Sequence, residues 1–242
     1  MNPQRYRYST EAAEGGWLNI ELRHGDCLDL LADVKDASIP LVVTDPPYFT
    51  PPAQFVSGRS HHKRSLSNLS LLDHFYRDFF GALVPKLRPD AAAYIFCDSQ
   101  SYPLFYAYLY EHVKTLRLLV WDRGTAINGY SWRYQCQYIL FAQMHDAPAV
   151  KTGDGDILRC PSVPVAQRAH PAEKPLPLLE RLILKSSEPG DLVLYCFAGS
   201  GSTGLACIRS GRAFLGFELN HPCFLEAQER LAGYSDEYRF PC

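Results

Sequence analysis

No uncharged apolar run in this chain approaches the roughly 18 residues that a membrane-crossing helix needs. The opening MNPQRYRYSTEAAEGG also lacks an apolar stretch of the signal-peptide kind. Both absences point to a soluble, cytoplasmic protein with no membrane partner. C-x-x-C pairs are missing too: the eight cysteines (27, 97, 136, 160, 196, 207, 223 and 242) are scattered, and no Cys/His grouping has zinc-site spacing. They are expected to be reduced, mostly buried small apolar residues, and no metal is expected. A surplus of charge is absent as well, since 24 Lys and Arg stand against 26 Asp and Glu. The balance of −2 therefore does not announce a polyanionic partner. There is no internal repeat, heptad array or low-complexity tract, and ordinary globular composition argues against disordered, collagen-like and coiled-coil classes.

What is present is enough for a core. With 242 residues, 47% of them hydrophobic and 21% charged, the simplest expectation is one domain spanning 1–242. Apolar β-rich runs (LNIELRHG, IPLVVTDPPY, AAAYIFCDS, TLRLLVWD, DLVLYCFAG, RAFLGFEL) alternate with stretches of helical period. Leu72, Phe75, Phe79 and Leu83 fall on one helical face, and a final helix is expected from about Pro222. Such alternation predicts an α/β protein with a mostly parallel sheet covered by helices on both faces.

Two stretches break the pattern. Residues 49–70 hold five serines, two histidines and the bases Arg59, Lys63 and Arg64, with no acidic residue between Asp45 and Asp73. This loop either meets phosphate or is a solvated connection. Residues 124–175 contain a hairpin return strand, WRYQCQYILFAQM, followed by a Gly/Asp/Pro-rich stretch. A recognition insert over about 124–169 and a plain irregular connection both fit. Residues 49–174 carry a balance of +4 and the flanking pieces together −6, so the middle segment is the one suited to face a polyanion.

Two motifs carry chemistry. In DLVLYCFAGSGSTGLACIRSGRAFLGFEL, Gly199, Gly201 and Gly204 fit G-x-G-x-x-G between a strand and a helix, and Glu218 follows 19 residues after Gly199. This is the layout of a nucleoside-cofactor site, with glycines for close backbone approach and a carboxylate for ribose hydroxyls. By itself it does not separate a dinucleotide from S-adenosylmethionine. The second motif does: Asp45-Pro46-Pro47-Tyr48 follows directly on the strand IPLVV, where open α/β sheets bind ligands. By chance such a tetrad arises about once in a thousand chains of this length. An exocyclic amine on adenine or cytosine is a poor nucleophile because its lone pair is delocalised. Asp45 can accept one N–H and the Pro46 carbonyl the other, drawing the nitrogen toward tetrahedral geometry, while Tyr48 offers a face on which an extruded base can stack.

On these motifs the chain resembles the S-adenosylmethionine-dependent DNA amino-methyltransferases that act on adenine N6 or cytosine N4. It is similar to the permuted beta group, in which the tetrad precedes the cofactor loop. Asp45–Tyr48, then His170-Pro171-Ala172-Glu173-Lys174-Pro175, then Phe197-Ala198-Gly199-Ser200-Gly201 stand in that group's order. The resemblance implies a Rossmann-like methyltransferase sheet with an antiparallel hairpin strand. It also implies S-adenosylmethionine as cofactor and double-stranded DNA as substrate. By the same resemblance, Phe197, Ala198, Gly199, Ser200, Gly201 and Ser202 border the cofactor, with His170, Lys174 and Asp45 beside its methionine end. Glu218 holds the ribose. Asp26, with Cys27 beside it, matches the position that meets adenine, although a helix N-cap explains Asp26 equally well. Arg133 in the hairpin joins Arg59, Lys63 and Arg64 as an expected DNA contact. Where the group often has a glutamate in the return strand, this chain offers Gln137.

Aspartate at the head of the tetrad is commoner among the group's adenine enzymes and serine among its cytosine enzymes, so Asp45 points to adenine N6, with cytosine N4 as the alternative. An N-P-P-Y tetrad would belong to protein-glutamine methyltransferases. Asp45 and the motif order both count against that class. A nicotinamide oxidoreductase would leave D-P-P-Y unexplained, and an idle cofactor- or DNA-binding module is the third reading. YPLFYAYLYEHV is apolar on nearly every face, which fits either packing under the sheet or a homodimer contact. No nuclease-like region is visible, so only the modification half of a restriction–modification pair, or a solitary enzyme, is expected.

Overall fold

The structure is a computed structural model and describes residues 4–11, 17–48, 69–127, 131–146, 153–164, 166 and 173–237. Among these the chain builds nine strands: β1 (Arg5–Glu11), β2 (Trp17–His24), β3 (Ile39–Thr44), β4 (Leu87–Cys97), β5 (Thr115–Ile127), β6 (Tyr134–Gln143), β7 (Ile157–Arg159), β8 (Leu192–Tyr195) and β9 (Ala213–Glu218). The helices are α1 (Cys27–Ala32), α2 (Leu69–Leu83), α3 (Tyr102–Leu109), α4 (Leu176–Ser186), α5 (Ser202–Arg209) and α6 (His221–Glu237).

All nine strands join one sheet in the order β1-β2-β9-β8-β3-β4-β6-β5-β7. From β2 to β4 every pairing is parallel, while β6 runs antiparallel to both β4 and β5. This is the Rossmann-like, mostly parallel sheet with an antiparallel hairpin strand that the sequence predicts. β1 adds a third antiparallel pairing at the far edge.

Period-two alternation sorts each strand's side chains between two apolar layers. Leu41, Val43, Tyr94 and Phe96 pack with Leu178 and Leu182 of α4, Leu205 of α5 and Phe224 of α6. Val42, Ile95 and Cys97 face the other way, onto Leu31 of α1, Phe79 of α2 and Phe105 of α3. The central strands are buried on both sides and so read as continuous apolar runs. Fully burying one such Leu or Phe stabilises the fold by about 1.5–3 kcal/mol. Four described cysteines, Cys27, Cys97, Cys196 and Cys207, are buried in these layers, and all seven described ones are free thiols. No helix among the described residues is long and apolar enough to cross a membrane.

Both irregular stretches are partly taken into this frame. Most of the polar loop, 49–68, lies outside the described residues, whereas Leu69 and Ser70 open α2. Within 124–169, residues 134–143 and 157–159 are strands of the main sheet. Tyr138 of β6 lies opposite Cys97, the last residue of β4, so residues 134–137 run on past the end of β4. At about 3.4 Å per residue the hairpin overhangs that edge by roughly 14 Å.

Candidate active site

β3 and β8 are neighbours at the centre of the sheet, with Leu41 beside Val193 and Val42 beside Leu194. From β8 the chain departs through α5 to β9 on one side. From β3 it departs toward α2 and β4 on the other. The diverging connections open a crevice at the carboxyl ends of the strands, the general ligand position of such sheets. Thr44, fully buried, closes its floor by accepting a hydrogen bond from the Cys196 amide at 3.3 Å.

Asp45 to Tyr48 leave β3 directly above this floor. The Asp45 carboxylate is engaged at both oxygens: Oδ2 pairs with the Lys174 ammonium and Oδ1 accepts from the Tyr48 hydroxyl. Lys174 is buried and lies 4.9 Å above the Phe96 ring, a cation–π contact on its other side. The tetrad's backbone is fixed from α2, where the Tyr76 hydroxyl donates to the Pro47 carbonyl at 2.6 Å. Burial first, and then the neighbouring Asp45 charge, push the Tyr48 phenol well above its usual range, so it stays protonated and can donate. From β6, Gln137 Nε2 donates to the Tyr48 hydroxyl oxygen at 2.7 Å.

On the other wall the glycine loop turns from β8 into α5. Gly201 caps α5 at φ +74°, the left-handed region, and a Cβ there would meet the Ala227 Cβ at 3.2 Å. Gly204 serves a different purpose, since a Cβ on it would come within 2.7 Å of Leu231 Cδ2 of α6. The first position permits the turn and the second permits close helix packing. Glu218, at the end of β9, accepts from the Gly199 amide at 2.8 Å and from the Asn220 amide at 2.7 Å. Arg230 of α6 joins the two walls: it donates to the Ser200 carbonyl at 3.3 Å and pairs with buried Glu173 at 2.5 Å.

Thus the fold brings Asp45, Tyr48 and Lys174 into one cluster and Gly199 and Glu218 into another. Asp26 is the N-cap of α1, accepting from the Leu28 amide at 2.9 Å, close to Glu218 through the Gly25 amide on the Glu218 carbonyl at 2.9 Å. The Cys27 thiol is buried and pushed up to about 12, chiefly by desolvation, so it is not a reactive thiolate. Phe197 packs on Phe79 of α2, with ring centroids 5.3 Å apart. Ala198 and Ser200 are buried within the loop, and Ser202 is buried at the start of α5. Arg133 is exposed at the start of the overhanging hairpin, between Trp132 at 91% and Tyr134 at 59% exposure. His170, Arg59, Lys63 and Arg64 lie outside the described residues. No group of three or more His, Cys, Asp or Glu among the described residues could hold a metal. Sequence reasoning missed Tyr76, Phe96, Glu173 and Arg230. Glu173 alone carried a signal, as the residue before Lys174 in the His170–Pro175 element.

The residues present suit a nucleoside cofactor with a cationic methionine end. The loop backbone is bare of Cβ at Gly199 and Gly201, and Glu218 and Asp26 bring carboxylates to one rim. Over residues 39–229 the chain matches the family model described as DNA methylase. It is 28% identical to the Type II methyltransferase M2.MboI of Moraxella bovis, over 88% of this chain and 87% of that protein. It is 27% identical to the Type II methyltransferase M2.DpnII of Streptococcus pneumoniae, over 96% and 97%. Among solved structures, the M1.HpyAVI–SAM complex superposes with a TM-score of 0.64 at 24% identity, covering 87% of this chain and 98% of that one.

Proposed function

The chain belongs to the DNA methylase family of N6/N4 amino-methyltransferases, and from that premise we propose that it methylates N6 of an adenine extruded from duplex DNA. S-adenosylmethionine is its cofactor and, when bound, supplies an electrophilic sulfonium methyl group. The observation that carries the reading is the Asp45 carboxylate, standing at the central crevice between the tetrad's tyrosine and a buried lysine, opposite the glycine loop.

In the proposed reaction Asp45 accepts one N6–H and the Pro46 carbonyl the other, which localises the amine lone pair for in-line attack. The N–CH3 bond would form as the sulfur–methyl bond breaks, with the neutral thioether S-adenosylhomocysteine as leaving group and the surplus N6 proton lost to solvent. Tyr48 stacks on the extruded base. Lys174 holds Asp45 through Oδ2, and the amine meets Oδ1, which has a second lone pair beside the bond it accepts from Tyr48. Orientation and preset dipoles supply most of the acceleration, since no covalent intermediate with the protein is required. Glu218 and Asp26 hold the ribose and adenine of the cofactor. Phe197 to Ser202, Cys27, His170 and Lys174 border the rest of it.

Duplex DNA meets the crevice from the side where the hairpin overhangs. Arg133 contacts phosphate there, while Arg59, Lys63 and Arg64 contribute from the polar loop and about 124–169 supplies the recognition elements. M2.MboI and M2.DpnII are named Type II methyltransferases, which supports a modification role of the restriction–modification kind for this chain. A homodimer would cover the outward side of α3. There Tyr106 and the following Tyr110 stack at 5.7 Å and are 36% and 62% exposed, while Phe105 and Leu109 are buried inward.

The test is incubation with S-adenosylmethionine and unmethylated DNA, digestion to nucleosides and mass spectrometry. N6-methyladenine is expected, with Asp45→Ala yielding none while still binding the cofactor. N4-methylcytosine would transfer the mechanism to the other base. No methylated nucleoside from a cofactor-binding protein would refute the activity.

A further inference from the structure

Both oxygens of Asp45 are engaged, and the hydroxyl on one of them is itself held by a second-strand amide. Gln137 Nε2 donates to the Tyr48 hydroxyl at 2.7 Å, and Gln137 Oε1 accepts from the Arg123 guanidinium at 3.4 Å. The chemistry of the partners fixes the direction of this chain. A guanidinium offers only donors, so the carbonyl end of the amide turns to Arg123 and the amino end to Tyr48. A hydroxyl that accepts from the amide has its single proton left for Asp45, which is where that proton points. Arg123 is in turn held 5.2 Å above the Trp121 indole, whose N–H donates to the Cys160 carbonyl at 2.7 Å. Trp121 and Arg123 belong to β5 and Gln137 to β6, so the base of the overhanging hairpin is linked to the tetrad by hydrogen bonding through this amide.

We infer that Gln137 is a positioning residue for methyl transfer, acting through the Tyr48 hydroxyl to hold the stacking ring beside Asp45. The inference rests on the methyltransferase reading above. Gln137 touches neither the reacting amine nor the cofactor in this assignment, and its effect passes through one oxygen atom. That route separates it from a residue that merely packs: removing the Tyr48 hydroxyl should make Gln137 irrelevant.

The test is a double-mutant cycle in single-turnover methylation at saturating S-adenosylmethionine and DNA. Gln137→Leu keeps the bulk of the side chain and loses both hydrogen bonds. It is expected to slow methyl transfer about tenfold in the otherwise native chain and by less than about twofold in a Tyr48→Phe background. Cofactor affinity should be unchanged across the set. Gln137→Glu offers Tyr48 no donor and competes with Asp45 for its single hydroxyl proton, so it should be at least as slow as Gln137→Leu. Equal losses from Gln137→Leu in both backgrounds would reduce Gln137 to a packing role and overturn the inference, as would no loss in either. Should Tyr48→Phe turn over too slowly to time, the Glu variant decides: one that keeps the native rate without a donor to Tyr48 overturns it. A native protein that binds the cofactor and methylates nothing would instead refute the activity itself.

Discussion

Lys174→Met tests how the Asp45 carboxylate is held. The ammonium is 5% exposed and its partner Asp45 13%, so the pair sits in a weakly screened setting. Removing one member of a buried pair costs about 3–5 kcal/mol, because the surviving charge is left in a low-dielectric site. Asp45 keeps some access to water and the Tyr48 hydroxyl, which places the expected loss near the lower end, about 2–3 kcal/mol. For a chain of this size that is about 4–12 °C in melting temperature. The methionine still covers Phe96, so the loss is electrostatic and should be recovered in part by adding Asp45→Asn, which removes the stranded charge. Thermal unfolding of the native protein, both single variants and the double variant, followed by circular dichroism, measures the coupling. A Lys174→Met protein that melts within a degree of native, or a double variant that melts at the sum of the two single losses, would refute the argument.

The two glycines of the loop should fail in different ways. Gly201→Ala forces a left-handed alanine at a cost of about 1–2 kcal/mol and crowds Ala227, so the loop shifts. Its cofactor dissociation constant, by isothermal titration, should rise about tenfold or more. Gly204→Ala presses on Leu231 at 2.7 Å. Overpacking of about 1–3 kcal/mol, offset by about 1 kcal/mol of helix propensity, should lower the melting temperature and leave cofactor affinity within about threefold; the reverse pattern would contradict the roles given to the two positions. Neutralising Arg59, Lys63 and Arg64 together should weaken DNA binding and flatten its salt dependence by about 0.9 in log–log slope per lost phosphate contact, with cofactor affinity unchanged. At high pH, Cys27 and Cys97 are raised from 9.0 to about 12 by burial, so the fold retains protons that the unfolded chain releases. Their contribution to stability is complete below about pH 9 and drains away as pH rises toward about 12. Urea midpoints should fall between about pH 8.5 and 10.5, and a flat profile would contradict the burial.

Much of this protein was legible before folding because its central strands are short apolar runs with function at their ends. IPLVV followed by the tetrad, and DLVLY followed by glycines, each declare a strand, its direction and a ligand edge. The α2 face was equally plain: Leu72, Phe79 and Leu83 are fully buried. β1 was passed over although Arg5, Tyr6, Arg7 and Tyr8 alternate, because five residues separate it from β2, more than the two-residue loops whose hairpin signal is most direct. The 124–175 stretch stayed opaque for another reason. β6 is polar where it runs past β4 and apolar only from Ile139 onward, so no single period describes it. Side chains that join distant segments, such as Tyr76 on the Pro47 carbonyl, Arg230 on Glu173 and Gln137 on Tyr48, leave no local pattern at all. Gln137 stood out only as a mismatch, and three-dimensional proximity gave it a partner.

The adjacency of β3 and β8 also has a consequence during synthesis. Thr44 and Cys196 meet across 152 positions of chain, so the tetrad leaves the ribosome long before the wall it must face exists. At about 5–20 residues per second the interval is roughly 8–30 seconds. Pairing of such remote segments closes late because their loop entropy must first be overcome. A nascent chain therefore carries Asp45 for many seconds before the strand beside it, β8, has been made. Until Cys196 has been made, the tetrad stands without the glycine loop opposite it, so methyl transfer by the proposed route has to wait for the second half of the sheet.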